Sequence, residues 1–172
     1  MSVPDSLVIR PENAADHSMI HQVNDAAFGG AGEADLIESL RRDGVVLLSL
    51  VAEVGGRIVG HILFSRMSVE PPSGTAVPAV ALAPLAVLPD HQRQGIGGQL
   101  IGRGLAELRR LGERLVIVVG HPDYYPRFGF STAPASSIDS PFPPDVFMAL
   151  ELVPGALDGI QGRVRYPDAF GL

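Results

Sequence analysis

Cysteine is absent from the 172 residues, and so is lysine: all thirteen basic side chains are arginine. The first absence excludes a disulfide framework, a thiolate metal site and a cysteine nucleophile. The second excludes a P-loop, whose lysine must follow the last glycine of the phosphate loop. No apolar run reaches the roughly 18 residues of a membrane helix. The opening MSVPDSLVIRPEN has no basic segment leading into an apolar core, so it does not read as a signal peptide. A cytoplasmic location is therefore expected, with no membrane partner. Net charge is −6 and the basic residues form no dense cluster, which argues against nucleic acid, whose phosphates call for a cationic stripe. There is no internal repeat, low-complexity tract or linker. At 46% hydrophobic, the chain is expected to form one domain over residues 1–172 with its own core.

What is present centres on residues 79–105, AVALAPLAVLPDHQRQGIGGQLIGRGL. An apolar run over 79–88 breaks at Pro89-Asp90, passes through His91-Gln92-Arg93-Gln94 and enters a helix at Gly95-Ile96-Gly97-Gly98. A buried strand thus delivers the backbone to a glycine-bearing turn that opens a helix. The free N–H groups there carry the positive end of the helix dipole and suit phosphate oxygens. Glycine lets a bulky anion approach the main chain, and Arg93 adds a permanent cation. A dinucleotide fingerprint would need a third glycine where Leu100 stands. The element is read as an anion site suited to a diphosphate.

The remaining chain reads as follows. Residues 7–10 form an opening strand ended by Pro11. Asn13 caps a helix whose apolar positions Met19, Ile20, Val23 and Ala27 keep helical spacing up to Gly29-Gly30. A second helix spans 33–42, with Leu36, Ile37 and Leu40 inward and Gly44 closing it. Residues 45–54 and 57–69 form a hairpin about Gly55-Gly56, and 70–77 is a loop. The central helix runs from about Gly95 to Leu111, with Ile96, Leu100, Ile101, Leu105 and Leu108 facing the core. Gly102 and Gly104 inside it suggest close packing on the sheet. Residues 115–119 form an all-apolar strand covered on both faces. A proline-rich loop at 133–144 precedes a strand at 146–153, and an edge strand is expected near 162–166.

Gln92-Arg93-Gln94-Gly95-Ile96-Gly97 fits Gln/Arg-x-x-Gly-x-Gly/Ala and, in this strand–turn–helix setting, resembles the acetyl-CoA pyrophosphate loop of the GNAT superfamily of N-acyltransferases. Tyr125-Pro126-Arg127-Phe128-Gly129-Phe130 resembles that family's Tyr-x-x-x-Gly-Phe segment. The order of elements over residues 7–153 matches as well, with 154–172 as an extension. The resemblance implies an α+β fold with a mixed, mostly antiparallel sheet, splayed between the strands at 79–88 and 115–119. It implies backbone pairing of Leu85, Ala86 and Val87 with the pantetheine arm of acetyl-CoA, and phosphate contacts from Gln92, Arg93, Gln94, Gly95, Ile96, Gly97 and Gly98. Pro84 is expected to mark a bulge in the bent strand.

Acetyl transfer to an amine requires a neutral amine, a donor for the oxyanion and an acid for the departing thiolate. By resemblance, Tyr125 is the general acid. Tyr124 is expected to pack, and Phe128 and Phe130 to lie in the core. Relatives often carry a Glu base where this chain has Pro84, so the base is open among His121, Asp123, Glu33 and a water chain. His121 suits proton work near neutrality, and also suits a loop-tying role. Glu33 stands in the region that often lines the acceptor site, and also reads as a carboxylate at a helix N-terminus. His17 and His21 are four apart, a spacing that can bind metal, but no third ligand is evident and no metal is expected. The expected activity is direct acetyl transfer from acetyl-CoA to a small-molecule or protein amine. The alternative is a non-catalytic acyl-CoA-binding sensor or interaction module. A homodimer through sheet edges stays open.

Overall fold

The computed structural model describes residues 2–172 and divides them into two compact units. One comprises the chain up to Phe64 together with Ala83–Glu107; the other comprises Ser65–Leu82 and Leu108–Leu172. Two strands and one helix run through both. The architecture is the expected α+β one, with a mixed, mostly antiparallel sheet.

In the first unit, β1 (Leu7–Pro11) pairs antiparallel with β2 (Val46–Val54), from Leu7 opposite Val54 to Pro11 opposite Leu50. β2 turns into β3 (Arg57–Glu70) at Gly55 and Gly56, both left-handed at φ +59° and +80°, which a two-residue hairpin demands. Helix α1 (His17–Phe28) follows a capping box: the Asn13 side chain accepts from Ala15 N–H, and Asp16 accepts from Asn13 N–H at 2.7 Å. Asp16 also takes two hydrogen bonds from Arg10, at 2.7 and 2.9 Å, and Arg10 reaches on to Glu53. The cap thereby ties α1 to β1 and β2. Helix α2 (Gly32–Arg42) buries Ala34, Ile37 and Leu40. Its Arg41 is held by Glu12 at 2.5 Å.

β4 (Val77–Val87) includes a cis Ala83–Pro84 bond within an uninterrupted strand, rather than ending or splitting there. Helix α3 (Ile96–Arg110) buries the expected stripe of Ile96, Leu100, Ile101, Leu105 and Leu108. Of its two inner glycines, the close-packing expectation holds for Gly104, where a Cβ would collide with the Phe64 ring, and fails for Gly102, which is exposed with open space around it.

In the second unit, β5 (Leu115–Val119) lies between β4 and β7 (Phe147–Glu151). It is parallel to β4 at Val80–Val116 and Ala81–Ile117, and antiparallel to β7 along its length. Alternate residues Met67, Val69, Ala79, Ala81, Leu115, Ile117, Phe147 and Ala149 build one core face, as the two-residue period of strands requires. Two expectations need correction. The proline-rich loop contains a two-residue strand, β6 (Ile138–Asp139), and β8 (Gly162–Arg165) is not an edge: it pairs with β3 on one side and β6 on the other. Gly162 makes this possible, since a Cβ there would collide with the Glu70 carbonyl. Among the described residues, no helix is long and apolar enough to cross a membrane.

Candidate active site

The turn between β4 and α3 is built by its own backbone. Leu88 N–H donates to Val59 O at 2.8 Å, anchoring the end of β4 to β3, and a single helical turn at Pro89–His91 redirects the chain. The Gln92 side chain then reaches back to donate to Val87 O at 3.0 Å, and Gln94 to Asp90 O at 3.4 Å. Arg93 and Gly95 both adopt the left-handed conformation, at φ +63° and +81°. For arginine this is an uncommon backbone state, of the kind that clusters at functional loops.

Helix α3 begins immediately afterwards, held by close packing. A Cβ on Gly60 of β3 would stand 3.1 Å from Leu100 and 3.3 Å from Ile96, so the first turn of α3 rests directly on the β3 backbone. The first intrahelical donor is Gln99, whose N–H meets Gly95 O at 3.1 Å. The N–H groups of Gly95, Ile96, Gly97 and Gly98 meet no acceptor among the described residues, and no acidic side chain occupies the first turn. Four donors without an acceptor among the described residues thus stand at the positive end of the helix dipole, next in sequence to the exposed Arg93. Free N–H groups at a helix N-terminus are a main-chain arrangement able to accept an anion.

Not every backbone group of β4 is equally open. Val87 O, expected to face the pantetheine arm, already accepts from Gln92. Leu85 is half-buried and Ala86 fully buried.

Tyr125 belongs to the second unit, in a one-turn helix (Tyr125–Phe128) after β5. Its ring is seated on Gly120, where a Cβ would collide with it, and packs edge-on against Tyr124 and Phe130 at centroid distances of 5.1 and 5.9 Å. The turn is closed by His121 O, which accepts from Tyr124 and Tyr125 N–H, and by Gly129 at φ +98°. Burial pushes the Tyr125 phenol up to about 12, with Tyr124 adding to the shift. The phenol therefore keeps its proton at neutral pH, and its hydroxyl has no hydrogen-bond partner among the described residues. Tyr124 packs as expected, against Phe128 and under the Arg127 guanidinium at 5.5 Å. Phe130 is buried as expected, whereas Phe128 is half-buried rather than in the core.

His121 and Asp123 are exposed, and Glu33 is half-buried in the first turn of α2; none of the three side chains has a partner among the described residues. His17 and His21 do not act as a pair: His21 meets Asp25 at 3.2 Å and His17 lies 4.0 Å from Glu12.

One polar cluster gives no signal in the sequence. His61 on β3 is fully buried, with Nε2 2.9 Å from Ser49 Oγ and Nδ1 3.3 Å from Asn24 Nδ2. It resembles a nucleophilic triad in composition but not in direction. Asn24 Nδ2 also donates to Ile20 O at 2.9 Å, which fixes the amide so that His61 Nδ1 accepts. Nε2 then carries the proton and donates to Ser49, leaving the hydroxyl without a base.

Comparisons with known proteins bear on the family and the fold. A family profile described as Acetyltransferase (GNAT) domain matches residues 8–133. The uncharacterized N-acetyltransferase YjhQ of Escherichia coli is 45% identical over 118 residues, covering 67% of this chain and 65% of that protein. The uncharacterized N-acetyltransferase YhbS of Escherichia coli is 34% identical over 95% of this chain and 98% of its own length. Its crystal structure in complex with CoA superposes with a TM-score of 0.89 at 33% identity, covering 97% of this chain and 93% of that one. A GNAT family acetyltransferase from Brucella melitensis in complex with acetyl-CoA gives 0.80 at 37% identity, covering 95% and 97%. The profile match and the near-full-length similarity to YhbS agree, and the chain belongs to the GNAT acetyltransferase family.

Proposed function

We propose that the protein is an acetyl-CoA-dependent N-acetyltransferase that passes the acetyl group directly to a primary amine. The observation that carries this reading is the cluster of unspent N–H groups at Gly95–Gly98 beside Arg93, a main-chain cradle for the pyrophosphate of acetyl-CoA. YhbS with CoA and the Brucella enzyme with acetyl-CoA support the choice of anion. Leu85, Ala86 and Val87 would offer the β4 backbone to the pantetheine amides.

In the proposed step the neutral amine nitrogen attacks the thioester carbonyl carbon. The C–N bond forms, the C–S bond breaks and the electron pair leaves on sulfur. Tyr125 supplies the proton that turns the thiolate into free CoA, and the ammonium proton passes to His121, Asp123, Glu33 or a water chain. A covalent acyl-cysteine is excluded, because the chain has no cysteine.

The rival reading is an acyl-CoA-binding module without catalysis. It is favoured by Pro84, which stands where relatives often carry a carboxylate base. Calorimetric titration with acetyl-CoA, CoA and NAD tests the cofactor half shared by both readings. Binding of both CoA forms and not of NAD is expected; no binding of either CoA form overturns both. Thiol release from acetyl-CoA across a panel of amines then separates enzyme from sensor.

A further inference from the structure

We propose that Val3 is a positioning residue for the phosphate loop: residues 2–6 form a brace that fixes Gly95 and, through it, the free N–H groups of α3. The inference rests on the cofactor reading above. Val3 and Pro4 are half-buried, whereas Ser2, Asp5 and Ser6 are exposed, so the segment packs through these two side chains. A turn closed by Leu7 N–H donating to Pro4 O at 3.1 Å sets the direction in which the segment leaves β1. Val3 Cγ2 then lies 3.1 Å from the place a Cβ on Gly95 would occupy, and beyond Gly95 and its chain neighbours Gln94 and Ile96 no other atom among the described residues comes within 4 Å of that place.

The contact matters because of which residue it touches. Glycine passes between negative and positive φ with little preference, so a left-handed Gly95 is not fixed by its own sterics. Gln92 and Gln94 tie the loop to residues just before it, and Ile96 and Leu100 seat the helix on Gly60. Neither set of contacts stands against the side of Gly95 where a Cβ would project; Val3 does. Gly95 and Arg93 nevertheless remain exposed, so the segment supports the loop from one side and leaves the anion-facing side open. Donors already fixed in place spare the cofactor the entropy of ordering them.

The test compares Val3→Ala and Val3→Gly with wild type by calorimetric titration of acetyl-CoA, and by backbone ¹⁵N relaxation of the ligand-free protein. Val8→Ala, which trims an exposed valine on β1, is the control. Roughly three- to tenfold weaker binding is expected for the Val3 variants, with lower order parameters at Gln94, Gly95 and Ile96 and no change for Val8→Ala. Unchanged affinity and order parameters overturn the inference. So does tighter binding, which would make the segment an obstruction. Val3→Thr keeps the shape and must bind as wild type does. If wild type binds no CoA, the proposed function fails, and the relaxation data alone decide whether Val3 fixes the loop.

Discussion

Tyr125 differs from a surface tyrosine in what lies beneath its ring. Gly120 lets the ring settle against the backbone, the edges of Tyr124 and Phe130 hold it, and the resulting burial keeps the phenol protonated. A group that holds its proton through neutrality and leaves its hydroxyl unpaired is a donor waiting for an acceptor. Tyr125→Phe keeps the ring and removes only that proton. Turnover is expected to fall by about 10²–10⁴, the usual worth of a positioned acid, with acetyl-CoA affinity unchanged. Steady-state thiol release, alongside calorimetry, checks both halves. Unchanged turnover would remove Tyr125 from the chemistry, and lost affinity would make it a binding residue. The tyrosine was legible in the sequence through its spacing to Gly129-Phe130. Its seat was not: Gly120 carries no local signal for it, and only the folded turn brings it under a ring five residues on.

At the scale of elements, periodic patterns and end signals were readable because each is a local rule. The α3 stripe, the Gly55-Gly56 hairpin and the Asn13 cap all stand as expected. What was hidden depends on partners distant in sequence. β6 is two residues long and exists as a strand because β8 lies beside it, and no local propensity encodes that pairing. Gly102 and Gly104 are equivalent in propensity, and which one meets Phe64 is decided by the rotation of α3 on the sheet. The capping box shows how a local signal becomes a tertiary one. Asp16 is at once the N3 carboxylate of the box and the anchor for Arg10, which also holds Glu53 on β2. Asp16→Asn keeps the shape and loses the charge that both interactions use. A loss of about 1–2 kcal/mol is expected, the range of a lost cap or charged hydrogen bond. Urea unfolding at neutral pH measures it. Because Arg10 holds the Asp16 carboxyl below the usual carboxylate range, the difference between variant and wild type should shrink as the pH falls from about 4 toward that lowered value, and shrink no further below it.

For the whole molecule, the stability that survives mild acid depends first on His61. Burial, helped by the Arg41 charge, pushes its imidazole down to about 3 from an ordinary value near 6.5. Its hydrogen bonds act in the same direction: Nδ1 already accepts from Asn24, so a second ring proton has nowhere to point. The folded chain therefore holds His61 neutral while the unfolded chain protonates it. Stability from this residue is complete above about 6.5, erodes as the pH falls below that, and stops falling near 3, where the folded state also takes the proton. Between those limits one extra proton is bound on unfolding, so the slope approaches about 1.4 kcal/mol per pH unit for this group. Asp16 adds to the loss only below the ordinary carboxylate range near 4, because its folded value is lowered as well. The two effects separate along the pH axis, His61 acting alone between about 6 and 4.5. His61→Gln has no proton to gain, so its unfolding free energy, measured by urea titration at half-unit steps, should vary less over that interval. This holds even though the variant is less stable at neutral pH for want of the imidazole's packing. A slope in His61→Gln as steep as in wild type would show that the acid sensitivity originates elsewhere. In that case the buried Ser49–His61–Asn24 cluster would be a packing feature with no hold on how the chain responds to pH.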